Sequence, residues 1–464
     1  MMFRKLFKLL CLGPIVLACL LGVAWIFENF RGASQWTEAK ERAAQMGVSL
    51  DLEDYQVAEI AEEDRLLNDP VFKAEWEEEI EPKLGKIREL KFPDVLTKGI
   101  KSGSKSEGRA FDFRQFFKAE MSEEEAVKIL NQHMEPISER LEKLSSIILE
   151  RPVQEIVSRS YLPSHLDKST SAFRLLKFSS AFQADTRLAI RRGDSARALQ
   201  NIRALARLRE NCQGPNLINI IIGDALLPSH EIWDGIRLHL WNEKELQELA
   251  QIIPAESNLE ALEEAIRYEA AFAVAQVDHA LEIQKANAEM YPPEAEETAT
   301  DHIRFWMNHK GPAGWQDWRR ATVCKTSLDM LEMRPLWNEP WNEKFKVELP
   351  ADDEEESEFH PLAAVRIYES GSFLFFRSFA RGATRFRMMR LAIALEQYFL
   401  KKKAYPDTLE SLELGFSIID LNDPEQRPIQ YERTDDGYFT IWLAAESETS
   451  TRPRERWRFS EAQN

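Results

Sequence analysis

The stretch His230-Glu231-Ile232-Trp233-Asp234 brings an imidazole and two carboxylates together within five residues. On a helix, His230 and Asp234 lie one turn apart on one face, a spacing that can hold a divalent metal ion with Glu231 as the general base. His239 is a candidate third ligand, but it lies nine positions after His230 and about 180° round the helix from it. One straight helix cannot present all three side chains. The sequence therefore predicts no metal and no cofactor, and keeps His230, Glu231 and Asp234 as catalytic candidates for an alternative hydrolase function.

Three arginines, Arg377, Arg381 and Arg385, recur every four residues and line one face of a predicted helix. Residues 359–403 contain nine Lys or Arg and two Asp or Glu, a local balance of +7 directly after the acidic run 352–358. A solvated face beside an apolar face accounts for this pattern. A surface that binds an acidic partner, such as the acidic run of the same chain, is the alternative interpretation. The three arginines are kept as binding candidates.

The composition of the chain excludes some functions. Its 464 residues carry a net charge of -18, and 44% of them are hydrophobic. A nucleic-acid groove needs a concentrated basic face, so the sequence predicts no nucleic-acid partner. The sequence also lacks a Gly-x-Ser-x-Gly elbow, a P-loop, a dinucleotide glycine fingerprint and a Cys-x-x-Cys pair.

The amino-terminus predicts a membrane anchor over residues 1–28. Leu9–Phe27 is an uncharged run of 19 residues, long enough to span a bilayer core, and it follows three basic residues. We therefore expect a single pass through the inner membrane with the amino-terminus in the cytoplasm and the bulk of the chain outside it. Cleavage after the small residues Gly22 and Ala24, or lipidation at Cys19, are alternatives that the sequence leaves open.

Local signals divide the rest of the chain into a juxtamembrane arm and linker (29–121), a helical domain (122–345) and an acidic linker (346–358). Helix starts are predicted where a capping residue precedes a glutamate by three positions, at Ser122, Asn242 and Ser257. Gly193-Asp194 predicts the turn of a helical hairpin. Pro228 is expected to end the short apolar helix before it.

The region from 306 to 341 is rich in tryptophan. Two interpretations stay open: the rings line a ligand cleft, or they hold an irregular segment against a helical core. Two interpretations also stay open for Cys212 and Cys324: they form a disulfide, or they are two separate buried thiols. The tryptophans are Trp306, Trp315, Trp318, Trp337 and Trp341.

The end of the chain predicts a long helix followed by a β-hairpin over residues 359–446, and then a polar tail over 447–464. Alternating residues flank Asp436-Gly437, which is a strong hairpin signal. A lone hairpin is marginally stable, so we expect the sheet to cover the apolar face of the helix, on which Leu391, Leu395 and Tyr398 lie.

This C-terminal segment resembles the C-terminal half of the type II secretion major pseudopilins, and is similar to the tails of bacterial membrane-anchored helical proteins of unknown function. The resemblance implies shared local packing. Neither filament assembly nor a calcium site is implied, because Met1–Phe27 has no pseudopilin processing site and Ala444–Pro453 offers only two glutamates. The matching motifs are Leu395-Glu396-x-Tyr398, Tyr405-Pro406-x-x-Leu409-x-x-Leu412, Asp423-Pro424-x-x-x-Pro428-x-x-Tyr431 and Gly437-Tyr438.

The sequence thus predicts a mainly α protein with an N-terminal transmembrane helix, an α-helical hairpin or bundle body, and a small C-terminal α+β module. The expected function is binding or scaffolding in the bacterial cell envelope. A secretion- or pilus-associated accessory role and an extracytoplasmic hydrolase are the alternatives. An envelope protein partner and self-association are both compatible with these features.

Overall fold

The computed structural model describes residues 2–55, 66, 69–80, 123–150, 170–211, 217–254, 259–290, 313–332, 363–420, 427–434, 437–443 and 456–458. This part of the chain is mainly helical with a small antiparallel sheet, which confirms the predicted fold class at that level. The Gly/Ser/Lys loop at 98–110, the acidic linker and Cys212 lie outside the described residues.

The helices and strands follow in chain order. The helices are α1 (Met2–Gln45), α2 (Pro70–Lys73, continued by a π-helical segment Ala74–Ile80), α3 (Glu123–Glu150), α4 (Thr170–Arg191), α5 (Ser195–Asn211), α6 (Leu217–Leu226), α7 (Ser229–Arg237), α8 (Glu243–Ile252), α9 (Leu259–Met290), α10 (Ala313–Glu332) and α11 (Ala363–Lys402). The strands are β1 (Gln430–Arg433), β2 (Phe439–Trp442) and β3 (Arg456–Arg458).

Helix α1 is continuous over 44 residues. The sequence predicts an anchor over residues 1–28 and an arm after it, but between Phe27 and Trp36 there is no proline and Gly32 is the only glycine, so the helix continues into the arm. The side chains of residues 2–15, 17 and 18 of α1 lie outside the described residues, and within what the structure describes no helix contains an apolar segment long enough to cross a membrane.

The structure contains two of the helix boundaries that were predicted from local sequence signals. Gly193 adopts a left-handed φ of 73° after α4, and the Asp194 carboxylate accepts the Arg197 N–H at 3.0 Å. Asn242 and Glu245 form a reciprocal capping box at the start of α8, with bonds of 3.0 and 2.9 Å. Ser122 and Ser257 lie outside the described residues.

Three large apolar clusters hold the described helices together. The first joins α2, α3, α4, α5 and α6 through buried side chains such as Phe72, Phe178 and Phe182. The second joins α4, α5, α7, α8, α11 and the sheet. The third joins α1, α6, α9, α10 and α11, with small residues such as Ala265 and Ala270 on α9.

The sheet is antiparallel, with β2 between β1 and β3. Gly437, with a φ of 86°, precedes β2 and supports the predicted hairpin, while Asp436 lies outside the described residues. The third strand lies within the segment predicted to be a polar tail, and pairs Trp457 with Ile441.

Helix α11 packs on α6, α7, α8 and α10 as well as below the sheet. Its Leu391 and Leu395 are fully buried beside Phe439 and Ile441 of β2, as predicted for the covering hairpin. The same cluster contains Trp233 of α7. The residues predicted as a separate C-terminal module therefore share one core with the helical body.

Candidate functional site

The candidates on α7 face the protein interior. Helix α7 begins after Pro228, and Glu231 and Asp234 are only 1% and 3% exposed. The guanidinium of Arg187 on α4 meets Glu231 Oε1 through Nε at 2.6 Å and Nη2 at 2.5 Å. This carboxylate is therefore engaged in a buried, charge-assisted pair, which disfavours Glu231 as a general base.

Asp234 is paired more loosely. Its Oδ2 lies 3.4 Å from Arg191 Nη2, and its Oδ1 lies 3.6 Å from Arg237 Nη1. This Oδ1 is buried and accepts no hydrogen bond. Burial raises the pKa of Asp234 to about 6, although Arg191 and Arg237 act in the opposite direction. The desolvation of this carboxylate therefore outweighs the attraction of two nearby cations.

His230 is held in its neutral form. Desolvation, together with the positive charges of Arg385 and Arg187, lowers its pKa to about 3. Within the described ranges, no group of three or more His, Cys, Asp or Glu side chains is arranged to hold a metal ion. His239, the candidate third ligand, instead contacts Glu396 of α11.

The row of arginines on α11 is divided by the fold. Arg381 is exposed, whereas Arg385 is half-buried and close enough to His230 and Asp224 to influence the pKa of both. The side chain of Arg377 lies outside the described residues, as does the acidic run 352–358. The structure thus brings one predicted binding residue, Arg385, to the predicted catalytic histidine.

Asp224 of α6 extends this ionic cluster. It accepts hydrogen bonds from Arg209 of α5 at 2.9 and 3.1 Å and lies 3.1 Å from the position that a Cβ on Gly382 would occupy. Burial raises the pKa of Asp224, while Arg209 and Arg385 oppose the rise. The cluster therefore ties α4, α5, α6, α7 and α11 together by buried charges, an arrangement typical of structural networks as well as of functional sites.

A second polar cluster was missed by sequence reasoning. The fully buried carboxylate of Glu396 contacts His239 Nδ1 at 2.7 Å and accepts the hydroxyl of Tyr405 at 2.7 Å. The imidazole stacks on Phe399 with 4.6 Å between ring centroids, and His239 has a left-handed φ of 49°. Glu396 and Tyr405 both belong to the pseudopilin-like motifs, which is the signal that could have found them.

This cluster fixes both oxygens of a buried carboxylate. Desolvation raises the pKa of Tyr405, and the negative charge of Glu396 adds to the rise, so the phenol stays a hydrogen-bond donor. Glu396 in turn orients the imidazole of His239, whose side chain is 32% exposed. The cluster joins the C-terminal end of α7 to α11 and to the Tyr405-Pro406 turn.

Cys324 of α10 is buried, and its burial raises the pKa of the thiol to about 11. A thiol held in this state is unreactive. Because Cys212 lies outside the described residues, its pairing with Cys324 stays a prediction.

The amino-terminal half of α1 has an exposed apolar surface. All residues from Cys19 to Ala24 are exposed, and six successive helical positions cover the whole circumference of a helix. We call residues 16–27 the apolar stretch of α1. Its large exposed hydrophobic residues are Val16, Leu20, Leu21, Val23, Ile26 and Phe27, with exposures of 49% to 70%.

The carboxyl-terminal half of α1 packs against α10. Gly32 and Gly314 face each other so closely that a Cβ on either would overlap the backbone of the other helix. The Asn29 amide oxygen accepts the Gly314 N–H at 2.9 Å. At the far end of the contact, Arg42 pairs with Asp329 at 2.5 Å and with Glu332 at 2.9 Å.

Comparison with known proteins finds no matching family model, no matching curated protein and no matching solved structure.

Proposed function

We propose that this protein is a membrane-attached binding or scaffold protein of the bacterial cell envelope, anchored by the amino-terminal part of α1 with its helical body on the extracytoplasmic side. The observation that carries the proposal is the apolar stretch of α1, which is exposed around the whole helix from Cys19 to Ala24. A helix that is apolar on every side needs an apolar environment. A bilayer supplies one.

Charge supports the proposed orientation. Arg4, Lys5 and Lys8 precede the uncharged run, and Glu28 is the first charge after it. Basic residues favour the cytoplasmic end of a membrane segment. The 19 residues of Leu9–Phe27 would extend about 28 Å as a helix, close to the thickness of about 30 Å of a bilayer core.

The buried chemistry favours scaffolding over catalysis. Glu231 is bound by Arg187, and His230 and Asp234 lie in an ionic cluster among five helices. We therefore propose a structural role for His230, Glu231 and Asp234. A secretion-associated accessory role remains the second candidate function, supported by the pseudopilin-like motifs, two of whose residues form the buried Tyr405–Glu396 hydrogen bond.

Membrane attachment is tested by fractionation of cells that produce the full chain. Wild-type protein is expected in the membrane pellet after an alkaline carbonate wash. The double variant Leu20→Glu/Val23→Glu is expected in the supernatant, because an acidic residue costs about 2.5–3.5 kcal/mol at the centre of a membrane helix.

Leu238→Glu is the matched control, since Leu238 is an exposed leucine at the end of α7, away from the apolar stretch. This variant should stay in the pellet. Wild-type protein in the supernatant would overturn the attachment, and external protease that spares the body in spheroplasts would overturn the orientation. Crosslinking in intact cells then tests scaffolding, which fails if no envelope protein is recovered reproducibly.

A further inference from the structure

Two tryptophans of α10 lie directly beside the end of the apolar stretch. Trp315 Nε1 donates to Glu28 Oε2 at 3.3 Å, and the guanidinium of Arg31 lies 4.9 Å from the centroid of the Trp318 ring. The uncharged run ends at Phe27. At a rise of about 1.5 Å per residue, Glu28 and Arg31 lie about 2–6 Å beyond that end along the axis of α1.

The helices run parallel from this point. Trp315 contacts Glu28 and Asp329 contacts Arg42, and both pairs are separated by 287 residues in the sequence. A constant separation means that α10 starts beside the end of the uncharged run and leads away from it together with α1. The first turns of α10 therefore form the part of that helix closest to the apolar stretch.

Direct contacts fix the position of α10 relative to the apolar stretch. α1 continues without a break from the apolar stretch to its contact with α10, and Gly32 and Gly314 approach so closely that no side chain fits between the two helices there. Arg320 further ties α10 to α9 through Asp278, with Nη2 at 2.5 Å. These contacts set the distance, along the axis of α1, between the apolar stretch and the helices α9 and α10 of the helical body.

That distance corresponds to the level of the polar interface of a bilayer. The headgroup region on each side of a hydrocarbon core is about 5–7 Å thick. Tryptophan is enriched at this level because its ring is apolar and its N–H is polar, and arginine reaches it by extending its charged end. Trp315 and Trp318 are both partly exposed, and so is Arg31, whose guanidinium lies over the Trp318 ring.

We propose that Trp315 and Trp318 of α10 lie in the headgroup region of a phospholipid bilayer, so that the body rests against the membrane surface. This inference rests on the proposed membrane attachment and adds a second contact to it. The position of the two rings at the level where the uncharged run ends favours lipid over a second copy of the chain, because a partner helix would not require aromatic residues at that height.

The test uses the full-length protein in vesicles of phosphatidylcholine and phosphatidylglycerol that carry bromine either near the headgroup or near the end of the acyl chains. Subtracting the emission of Trp315→Phe/Trp318→Phe from that of wild type gives the emission of the two tryptophans. Headgroup-proximal bromine is expected to quench this difference emission at least about twofold more than chain-end bromine. The single variants Trp315→Phe and Trp318→Phe provide the same subtraction if the double variant does not fold.

Trp442→Phe is the control, since Trp442 is a partly exposed tryptophan on β2, away from α1 and α10. Its difference emission should not respond to either lipid. Flotation of the same vesicles separates the two proposals. Wild-type protein that fails to float overturns both, whereas protein that floats with unquenched difference emission overturns only the contact of α10 with lipid. Loss of quenching on dilution of the protein would indicate a contact between two copies and would also overturn it.

Discussion

Burial controls the protonation of the ionisable side chains on α7 more strongly than their charged neighbours do. It raises the pKa of Asp234 to about 6 against the effect of Arg191 and Arg237, and it lowers the pKa of His230 to about 3. Both shifts favour the neutral form, as expected for groups taken out of water. Asp234 therefore carries its charge above about pH 6 and loses it at a higher pH than an exposed aspartate does, while His230 stays neutral.

Asp234→Asn is expected to change how stability depends on pH. The native pKa of about 6 exceeds the ordinary aspartate pKa of 3.8, so the native state binds more protons than the unfolded state between these values. Ionised Asp234 thus lowers stability above pH 6, and the loss is relieved as the pH falls towards 4. The free energy of unfolding of wild type should rise relative to the variant by up to about 3 kcal/mol over this range.

Urea unfolding at a series of pH values measures this difference. The variant leaves Arg191 and Arg237 facing a neutral amide, so its absolute stability changes as well and only the pH dependence is compared. Leu238→Ala is the control because it changes an exposed side chain that does not ionise, and it should reproduce the wild-type pH dependence. Parallel curves for wild type and Asp234→Asn would contradict the assignment.

Tyr405→Phe removes the hydroxyl that donates to the buried carboxylate of Glu396. One carboxylate oxygen would be left without this donor, so we expect a loss of about 1–3 kcal/mol in the free energy of unfolding. Tyr431→Phe is the matched comparison, because its hydroxyl donates to the Pro406 carbonyl, a neutral and less buried acceptor. Denaturant midpoints should show the larger loss for Tyr405→Phe, and equal losses would argue against a buried charged acceptor.

Single helices were predictable where their limits depend on neighbours in the sequence. The capping box at Asn242 and the left-handed Gly193 are local devices, and the structure has both. The approach of Gly32 to Gly314 could not be predicted, since 282 residues separate the two glycines. A single glycine in a helix gives no indication of which distant residue it will contact. The continuity of α1 was missed because its composition changes from apolar to polar without a helix-breaking residue.

Gly32→Ala and Gly314→Ala are each expected to destabilise the contact between α1 and α10. The added methyl group would overlap backbone atoms, which cannot move aside as a side chain can. A loss of about 1–3 kcal/mol follows for each variant, despite the higher helix propensity of alanine. Gly22→Ala is the control within the same helix, since a Cβ there meets nothing within 4 Å.

Thermal unfolding followed by circular dichroism gives the comparison. Gly22→Ala should match wild type or exceed it by up to about 1 kcal/mol. If all three substitutions had the same effect, helix propensity alone would account for the data and the close crossing would play no part in stability.

The assembly of the whole protein was the least predictable feature. Apolar periodicity identified Leu391 and Leu395 as the buried face of α11, but it could not show that Trp233 of α7 lies in the same cluster. The same limit explains why His239 and Glu396, 157 residues apart, were not recognised as partners. Residues that are distant in sequence come into contact only when the helices pack together, and local patterns in a single sequence do not show which helices pack.

Because the sheet and the helical body share a core, they should unfold together. Phe439 of β2 is fully buried and meets Trp233 of α7 edge-to-face at 5.8 Å and Tyr405 at 4.7 Å. Phe439→Ala is expected to cost about 3–5 kcal/mol and to shift the whole transition, since its cavity opens between the two parts. Leu238→Ala, at an exposed position, should stay within about 0.5 kcal/mol of wild type.

Tryptophan emission and far-ultraviolet circular dichroism should report one coincident transition in wild type, Phe439→Ala and Leu238→Ala, because a shared core couples the helices to the sheet. An earlier emission change in Phe439→Ala, with helical signal retained, would mean that the C-terminal module unfolds on its own.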